Sequence, residues 1–419
     1  MRIAITSRIF EPEPSAASFR PSALAAALAD RGDDVTVLTV RPPAALVAAE
    51  SPAAAASAAA PPVSSRPASS RAAAPTPAAR GYRVARFPVL RDRAGYVRGY
   101  VQYMSFDIPL FFRVLFGPRR DLIVCEPPPT TGFFVRLAAA LRRTPYAYYA
   151  ADIWSDASAQ TGAPGWMVAL VRRIERFALR GARVVLSVSD GVTSRLAELG
   201  VAGTAVTVGN GVDAARFAGA LQADPEAATD GRPVFVYAGT ASEWHGADVF
   251  VEAMPAVLRE APGARLRFIG GGSERDALEA RAAELGIAHA VSFDPVMSAE
   301  QIAPVLQSAT AAIASVRPGA GYDFAFPTKL YSAAVCGAPL IHSGPGPAVD
   351  FVRTEVEGAP LGAAVADDPD AAAEAMIGAA RRPFDAERRH RVTEWSMRNV
   401  SLDAVAQRAV HRLVSAVSR

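Results

Sequence analysis

Cysteine is almost absent from this 419-residue chain, which has only Cys125 and Cys336. Two distant thiols cannot build a disulfide framework, so the composition excludes the small, disulfide-stapled class of secreted domain. It favours buried thiols in a reducing compartment. The 5 histidines are scattered without the spacing of a zinc site, and no metal is expected.

An excess of charge of one sign is also missing, since 44 basic and 41 acidic residues leave a net charge of +3. That balance is too small to favour nucleic acid as a partner. Long apolar runs are missing as well: glycines and prolines interrupt the longest uncharged stretch, 331–349, which excludes a membrane-spanning helix there. The first residues resemble a strand and not a signal peptide. We therefore expect a cytoplasmic protein, with the inner face of the membrane as a second location.

The order of the elements predicts an α/β protein. Arg2–Ser7 is a short apolar strand, Pro21–Ala29 an Ala/Leu-rich helix and Asp34–Val40 a β-branched strand, which together form a parallel βαβ unit. The alternation restarts near residue 233. We predict two doubly wound, Rossmann-like domains that face a cleft.

The predicted domain bounds follow from composition. The first domain covers 1–215, a polar linker covers 216–232, the second domain covers 233–395, and a C-terminal helix, 396–419, returns to the first domain. Residues 42–80 are dominated by Ala, Pro and Ser and cannot build a core, so they are predicted to be a disordered insertion. The Arg-rich stretch 385–417 is predicted to be helical throughout.

Three loops that follow predicted strands could carry chemistry, because ligands of doubly wound sheets bind at the carboxyl ends of strands. Residues 239–246 (GTASEWHG) and 270–273 (GGGS) each precede a helix, where backbone N–H groups favour a phosphate. An ordinary tight turn explains either loop equally well. The third segment, 326–332 (FPTKLYS), places Lys329 in the first turn of a helix, where the helix dipole disfavours a cation. A bound anion beside Lys329 explains that position better than a solvated surface lysine does.

These motifs, in this order, resemble glycosyltransferase family 4, the retaining enzymes of GT-B fold. The segments that carry the resemblance are the opening 1–39, SVSDGVTSRLAELGV with VTVGNGVDAARF, VYAGTASEWHGADVFVEAM, LRFIGGGSE and VSFDPVMSAEQIAPVLQSA. Within the family, DIWSD at 152–156 and PTKLYSA at 327–333 are most similar to transferases of surface-polysaccharide assembly of the N-acetylfucosamine type. The resemblance covers nearly the whole chain outside 42–80.

The resemblance implies a set of site residues. The implied catalytic residues are Lys329, His245, Glu126 and Asp152. The implied donor-binding residues are Gly239, Thr240, Ser242, Gly246, Gly271, Gly272, Pro295, Val296, Asp323, Thr328, Leu330 and Ser332. The implied acceptor-side residues are Ser15, Ala16, Ala17 and Asp156. No cofactor and no metal are implied, since the nucleotide-sugar is a co-substrate.

The implied function is a metal-independent, retaining transfer of a hexosyl group from a nucleotide diphosphate donor, with UDP-sugars favoured. The acceptor is a hydroxyl of a glycan, a lipid-linked intermediate or a small molecule, in surface polysaccharide, glycolipid or glycoconjugate synthesis. Phe324 and Ser332 occupy the positions of the family's two signature glutamates. They motivate an alternative, a catalytically degenerate GT-B protein that acts as a binding or partner subunit. A sugar-nucleotide epimerase shares the fold, but its acid and base are not evident.

Two other segments have competing interpretations. Residues 95–116 are aromatic and amphipathic with flanking arginines, which is typical of a helix on a membrane surface and equally of a core helix with a solvated basic face. Asp368 and Asp370 match the D-x-D of metal-dependent transferases of another fold, but solvated acids before a helix explain them better.

Overall fold

Two separate parallel sheets form the framework of the chain. The computed structural model describes all residues except 14, 15, 44–80, 93, 94, 96, 98, 161, 162, 202, 220, 222–230 and 419. The predicted insertion from residue 44 onward, and most of the predicted linker, therefore lie outside the described residues. The described chain divides into one unit of Met1–Gly209 with Ala406–Arg419 and a second unit of Asn210–Val405.

The first unit is built on seven described parallel strands in the order β3-β2-β1-β4-β5-β6-β7. The strands are β1 (Arg2–Thr6), β2 (Asp34–Val40), β3 (Arg83–Phe87), β4 (Leu122–Cys125), β5 (Tyr146–Ala150), β6 (Val184–Ser187) and β7 (Ala205–Thr207). The central strands are apolar along their whole length, as is expected for strands covered on both faces. β4, β5 and β6 are buried at every residue.

Helices cover both faces of this first sheet. The helices are α1 (Ala16–Asp30), α2 (Tyr100–Phe116), α3 (Pro129–Arg142), α4 (Trp154–Gln160), α5 (Gly165–Arg180) and α6 (Asp190–Glu198). One core joins the sheet to α2, α3, α5 and α6, with Phe106 and Val135 fully buried in it. The other core joins the sheet to α1 and to the C-terminal helix, which contributes Ala409 and Leu413.

The second unit has six described parallel strands in the order β10-β9-β8-β11-β12-β15, with a separate two-stranded hairpin. The strands are β8 (Val234–Ala238), β9 (Arg265–Ile269), β10 (Val291–Asp294), β11 (Ala311–Ser315), β12 (Leu340–Ser343), β13 (Glu355–Val356), β14 (Ala359–Pro360) and β15 (Gly362–Val365). The helices are α7 (Ala214–Ala218), α8 (Asp248–Glu260), α9 (Arg275–Glu284), α10 (Ala299–Ser308), α11 (Lys329–Val335), α12 (Ala348–Arg353), α13 (Pro369–Arg381), α14 (Ala386–Val400) and α15 (Leu402–Val417), of which α15 continues into the first unit.

The C-terminal region is two helices, so the prediction of continuous helix over 385–417 was wrong at Ser401. Ser401 has an extended backbone, and its Oγ accepts a hydrogen bond from the backbone N–H of Ala404 at 3.1 Å. The backbone of Val212 pairs with the two residues that flank Ser401. Its N–H donates to the Val400 carbonyl, and its carbonyl accepts from the Leu402 N–H. This contact places the turn around Val212 in the second unit, whereas the sequence assigned residues up to 215 to the first domain.

Both thiols are buried and free, and burial raises the pKa of Cys336 to about 12. No helix among the described residues has both the length and the apolarity needed to cross a bilayer. Asp368 has a structural role, because its carboxylate accepts a hydrogen bond from the N–H of Ala371 at 2.9 Å and so caps α13.

Candidate functional site

Lys329 lies at the centre of the second unit's candidate site. Its Nζ donates a hydrogen bond to the Thr240 carbonyl at 3.2 Å and lies 3.6 Å from the centroid of the Tyr237 ring. It is the single lysine among 44 basic residues, the others all being arginine. Removal of the ammonium from water lowers the pKa of Lys329 well below its usual range. Among the described residues, no carboxylate pairs with it, so its charge is available to an anion.

His245 is an uncharged donor in this site. Its ring is buried, and Nδ1 accepts a hydrogen bond from the backbone N–H of Ser242 at 3.2 Å. Burial, together with the charge of Lys329, lowers the pKa of His245 to about 3. The proton of the neutral ring therefore lies on Nε2, which can donate a hydrogen bond to an oxygen. The resemblance implied a catalytic role for His245, and in the structure that role is limited to the dipole of a neutral ring.

The glycines of the two loops have different roles. Gly272 has a φ of +137°, and an added Cβ would lie 1.9 Å from the Ala241 carbonyl oxygen. Gly270 likewise packs against the backbone of Gly239. These glycines let the loop after β9 cross the loop after β8, where the Ala241 N–H donates to the Gly271 carbonyl at 2.9 Å. Gly271 itself has nothing within 4 Å of the Cβ position, so it is open to a ligand.

A cavity of about 200 Å³ opens where these loops meet. Five of the predicted donor residues line it: Gly239, Thr240, Gly271, Val296 and Ser332. Apolar side chains from α7, β9 and α10 form the rest of its wall. A small cavity with one apolar wall and one wall of backbone and hydroxyl groups suits a flat polar ring better than a charged group.

The remaining predicted donor residues are not among those that line this cavity. Gly246 is buried against Arg317, and Leu330 is buried in the core. Pro295 and Thr328 are exposed, and the exposed Asp323 uses its carboxylate to accept a hydrogen bond from Gly319 at 3.0 Å. Ser332 lines the cavity, whereas Asp323 does not.

At the carboxyl edge of the first sheet, Glu126 is held in an ion pair. It follows β4 and accepts from Arg20 of α1, with Nη2–Oε2 at 2.5 Å and Nε–Oε1 at 3.3 Å. Both side chains are buried. Burial disfavours the charge of Arg20, but the Glu126 carboxylate outweighs it and raises the Arg20 pKa. A catalytic role for Glu126 would need a free carboxylate oxygen. Arg20 is bonded to both of its oxygens.

The two aspartates of the DIWSD segment differ in their surroundings. Asp152 follows β5, is exposed and lies within electrostatic range of Arg20. Asp156 lies on α4 and makes a two-point ion pair with Arg195 of α6 at 2.7 and 2.8 Å. Glu175, which the sequence analysis missed, holds this segment by accepting the N–H groups of Trp154 and Ser155. Asp152 is thus the one predicted acid here with no ion pair among the described residues.

The predicted acceptor loop is described only in part. Ser15 lies outside the described residues, nothing is described of the Ala16 side chain at the start of α1, and Ala17 is half-buried in that helix. No group of three or more potential metal ligands occurs among the described residues.

Arg8, which the sequence analysis also missed, is a buried cation at the same edge. It follows β1, is 6% exposed and lies 3.6 Å above the ring of Tyr103. Its Nε and Nη1 have no hydrogen-bond partner among the described residues. Asp107, its electrostatic neighbour, is already bonded to the hydroxyls of Thr130 and Thr131 at 2.6 Å each. A buried arginine with two such nitrogens has capacity for an anion.

Comparison with known domain families accounts for both halves of the chain. Residues 17–211 match the Glycosyl transferase 4-like domain, and residues 232–381 match Glycosyl transferases group 1. HepE of Anabaena, solved in complex with UDP, aligns with a TM-score of 0.67 at 15% identity over 99% of this chain and 100% of that chain. The chain belongs to the GT-B glycosyltransferases.

Other proteins similar to this glycosyltransferase have different named activities. Sucrose-phosphate synthase of Thermosynechococcus elongatus aligns with a TM-score of 0.65 at 17% identity over 99% of each chain. The GDP-mannose-dependent alpha-(1-6)-phosphatidylinositol monomannoside mannosyltransferase of Mycolicibacterium smegmatis is 30% identical over 200 residues, which are 45% of this chain and 51% of that relative. Its namesake from Mycobacterium tuberculosis is 29% identical over 227 residues, 51% of this chain and 58% of that relative. The chain spans about half the length of the curated relatives it matches.

Proposed function

We propose that this protein transfers a hexosyl group, with retention of configuration, from a nucleoside diphosphate sugar to an acceptor hydroxyl. The observation that carries the proposal is Lys329, a half-buried lysine without a carboxylate partner among the described residues, directed at the loop after β8. A partly buried lysine with a shifted pKa and no such partner is typical of a site that receives an anion. The diphosphate of the donor is such an anion.

The reaction needs little from the protein beyond charge stabilisation. The bond between the anomeric carbon and the diphosphate oxygen breaks, the bond to the acceptor oxygen forms on the same face, and the acceptor proton passes to the departing phosphate oxygen. Lys329 and the Nε2–H of His245 would stabilise the negative charge that develops on the diphosphate. Removal of one such donor typically costs about 100- to 1,000-fold in turnover.

We favour UDP as the nucleotide, supported by the HepE complexes with UDP and UDP-glucose and by the small size of the cavity. The curated mannosyltransferases use GDP-mannose, and the motifs 152–156 and 327–333 favour an N-acetylfucosamine-type donor. Thermal melting with UDP, GDP, ADP and dTDP and their sugars separates these donors, since ligand at about 100 times its Kd stabilises by about 2.7 kcal/mol.

We further propose a lipid-linked acceptor that carries phosphate, in polysaccharide or glycolipid synthesis at the inner face of the membrane. Arg8 supports it, because two nitrogens of its buried guanidinium have no hydrogen-bond partner in the part of the chain that the structure describes. Arg8→Leu should raise the KM for a phosphorylated acceptor and leave donor binding unchanged; an unchanged KM would argue against this role.

A transfer assay decides whether the protein is an active enzyme or a catalytically degenerate binding subunit, the alternative that Phe324 and Ser332 motivate. With the stabilising donor and a lipid-phosphate acceptor, we expect a product whose anomeric configuration, read by NMR, matches the donor. Nucleotide binding without any transfer or donor hydrolysis would favour a partner protein. An isomerised nucleotide-sugar would indicate an epimerase.

A further inference from the structure

Large exposed apolar side chains are concentrated on three neighbouring helices of the first unit. Of the exposed large hydrophobic residues in the described chain, eight lie on α2, α3 and α5: Tyr100, Val101, Ile108, Phe112, Phe116, Leu141, Trp166 and Leu170. Phe116 is 77% exposed and Trp166 is 68% exposed. A single exposed hydrophobic residue needs no explanation, but a contiguous group marks an interaction surface.

Ring contacts join the three helices that carry these residues. α3 packs against both α2 and α5. Phe112 stacks on Phe116 along α2 with centroids 6.2 Å apart. Phe111 meets Phe134 of α3 at 6.4 Å, and the next ring of α3, Phe133, meets Phe177 of α5 at 5.1 Å. An aromatic band thus crosses all three helices.

The charge of the same surface has one sign. The only acids on the three helices are Asp107 and Glu175, which are buried at 0% and 2% exposure and bonded to neighbouring groups. Four arginines of α5 are exposed: Arg172, Arg173, Arg176 and Arg180. With Arg136 and Phe177 they line a groove of about 640 Å³. In a chain with a net charge of +3, this is a local concentration of cations.

We propose that this aromatic–arginine surface seats the protein on a bilayer that contains anionic lipids. Aromatic and aliphatic side chains would enter the boundary between headgroups and acyl chains, and the arginines would contact lipid phosphates. Tryptophan and arginine together at such a boundary are typical of membrane interfaces. A protein partner is less favoured, because a specific protein interface pairs opposite charges and this surface offers no exposed carboxylate. The proposed function supplies only the reason for this binding, which is to bring the enzyme to a lipid-linked acceptor. The binding itself does not depend on it.

Vesicle binding tests the surface without donor or acceptor, so its outcome is independent of the proposed transfer. The wild-type protein is sedimented with vesicles of phosphatidylcholine alone and with 30% phosphatidylglycerol, at low and high salt. We expect binding to the anionic vesicles that weakens as salt rises. Equal binding to both vesicles, or none, would overturn the proposal.

Matched variants locate the surface. Arg172→Gln, Arg173→Gln and Arg176→Gln combined should weaken binding about 100-fold, at about five-fold per arginine. The control, Arg353→Gln, Arg382→Gln and Arg398→Gln combined, removes the same charge from exposed positions of the second unit and should bind nearly as the wild type does.

A second pair of variants tests the apolar part. Trp166→Ser with Phe116→Ser should weaken binding at high salt as well. Phe324→Ser, which removes an exposed ring from the second unit, should not. All variants are first shown to melt like the wild type. Equal vesicle binding by the arginine variant and its control would contradict the proposal, and so would a wild-type oligomer that the arginine variant abolishes.

Discussion

Replacing Lys329 with methionine removes the positive charge and keeps most of the apolar volume of the side chain, so the variant isolates the charge. The hydrogen bond to Thr240 and the contact with the Tyr237 ring together contribute about 2–4 kcal/mol. Withdrawal of an ammonium from water costs several kcal/mol, and no anion offsets it. The gain from these contacts and the cost of desolvation nearly cancel. Without ligand, the free energy of unfolding of the variant should therefore differ from that of the wild type by less than about 1 kcal/mol.

With nucleotide the expected result is different. Loss of the charge opposite a diphosphate should cost about 3 kcal/mol, or about 150-fold in Kd. UDP at about 100 times the wild-type Kd stabilises the wild type by about 2.7 kcal/mol but the variant by only about 0.3 kcal/mol. At about 2–4 °C per kcal/mol, the ligand-induced shift in Tm falls from about 5–10 °C to about 1 °C.

Differential scanning fluorimetry with and without UDP measures both quantities. Arg281→Met, which removes an exposed cation from α9 of the same unit, is the control and should keep the full shift. A variant at Lys329 that keeps the UDP shift, or that loses more than about 2 kcal/mol without ligand, would refute the reasoning that the charge is held for an anion.

The burial of Lys329 also predicts how the free energy of unfolding depends on pH. Because the Lys329 pKa is lowered in the folded protein, the unfolded chain binds more protons between that folded pKa and 10.5. Without ligand, the wild type should therefore gain stability relative to Lys329→Met as pH rises through this window. Reductive ¹³C-methylation labels the single lysine, and its NMR titration should have a midpoint below 10.5 that rises when UDP binds.

Three further predictions concern single positions. Gly272→Ala should lower stability by several kcal/mol, since its Cβ would overlap a carbonyl oxygen at 1.9 Å, whereas the open Gly271→Ala should melt like the wild type but bind UDP more weakly. Arg20→Met should destabilise by about 3–5 kcal/mol, because it leaves the Glu126 carboxylate buried without its partner; urea unfolding that shows less than about 1 kcal/mol would contradict the buried pair. Nucleotide affinity measured by calorimetry between pH 5 and 8 should show no step from His245, whose pKa is about 3, and a step that His245→Asn removes would show a charged ring.

The fold and the position of Lys329 could be predicted from the sequence because their signals are local. Apolar strands such as β4, helices that begin at Pro or Ser, and glycines after strands act within a few residues of each other. Lys329 stood out because it begins a helix against the helix dipole. The Ser401 break was missed because its cause is a contact with Val212, nearly 200 positions earlier.

The roles of the site residues were decided by distant neighbours. Glu126 looked free in the sequence, but Arg20, 106 positions away, holds both of its oxygens. His245 was implied to be catalytic, but only its burial beside Lys329 shows that its ring is neutral. Gly271 and Gly272 are adjacent and alike in the sequence, yet only Gly272 meets the Ala241 carbonyl of another loop.

The sequence by itself therefore determined the two parallel sheets, the loops that follow their strands and the single lysine among them, because strand, helix and turn preferences depend on near neighbours in the chain. The tertiary structure alone decided which carboxylates are paired, which imidazole is neutral and which phenylalanines form one surface across α2, α3 and α5. Charge and burial depend on every atom within several ångströms, and those atoms come from segments that only folding brings together.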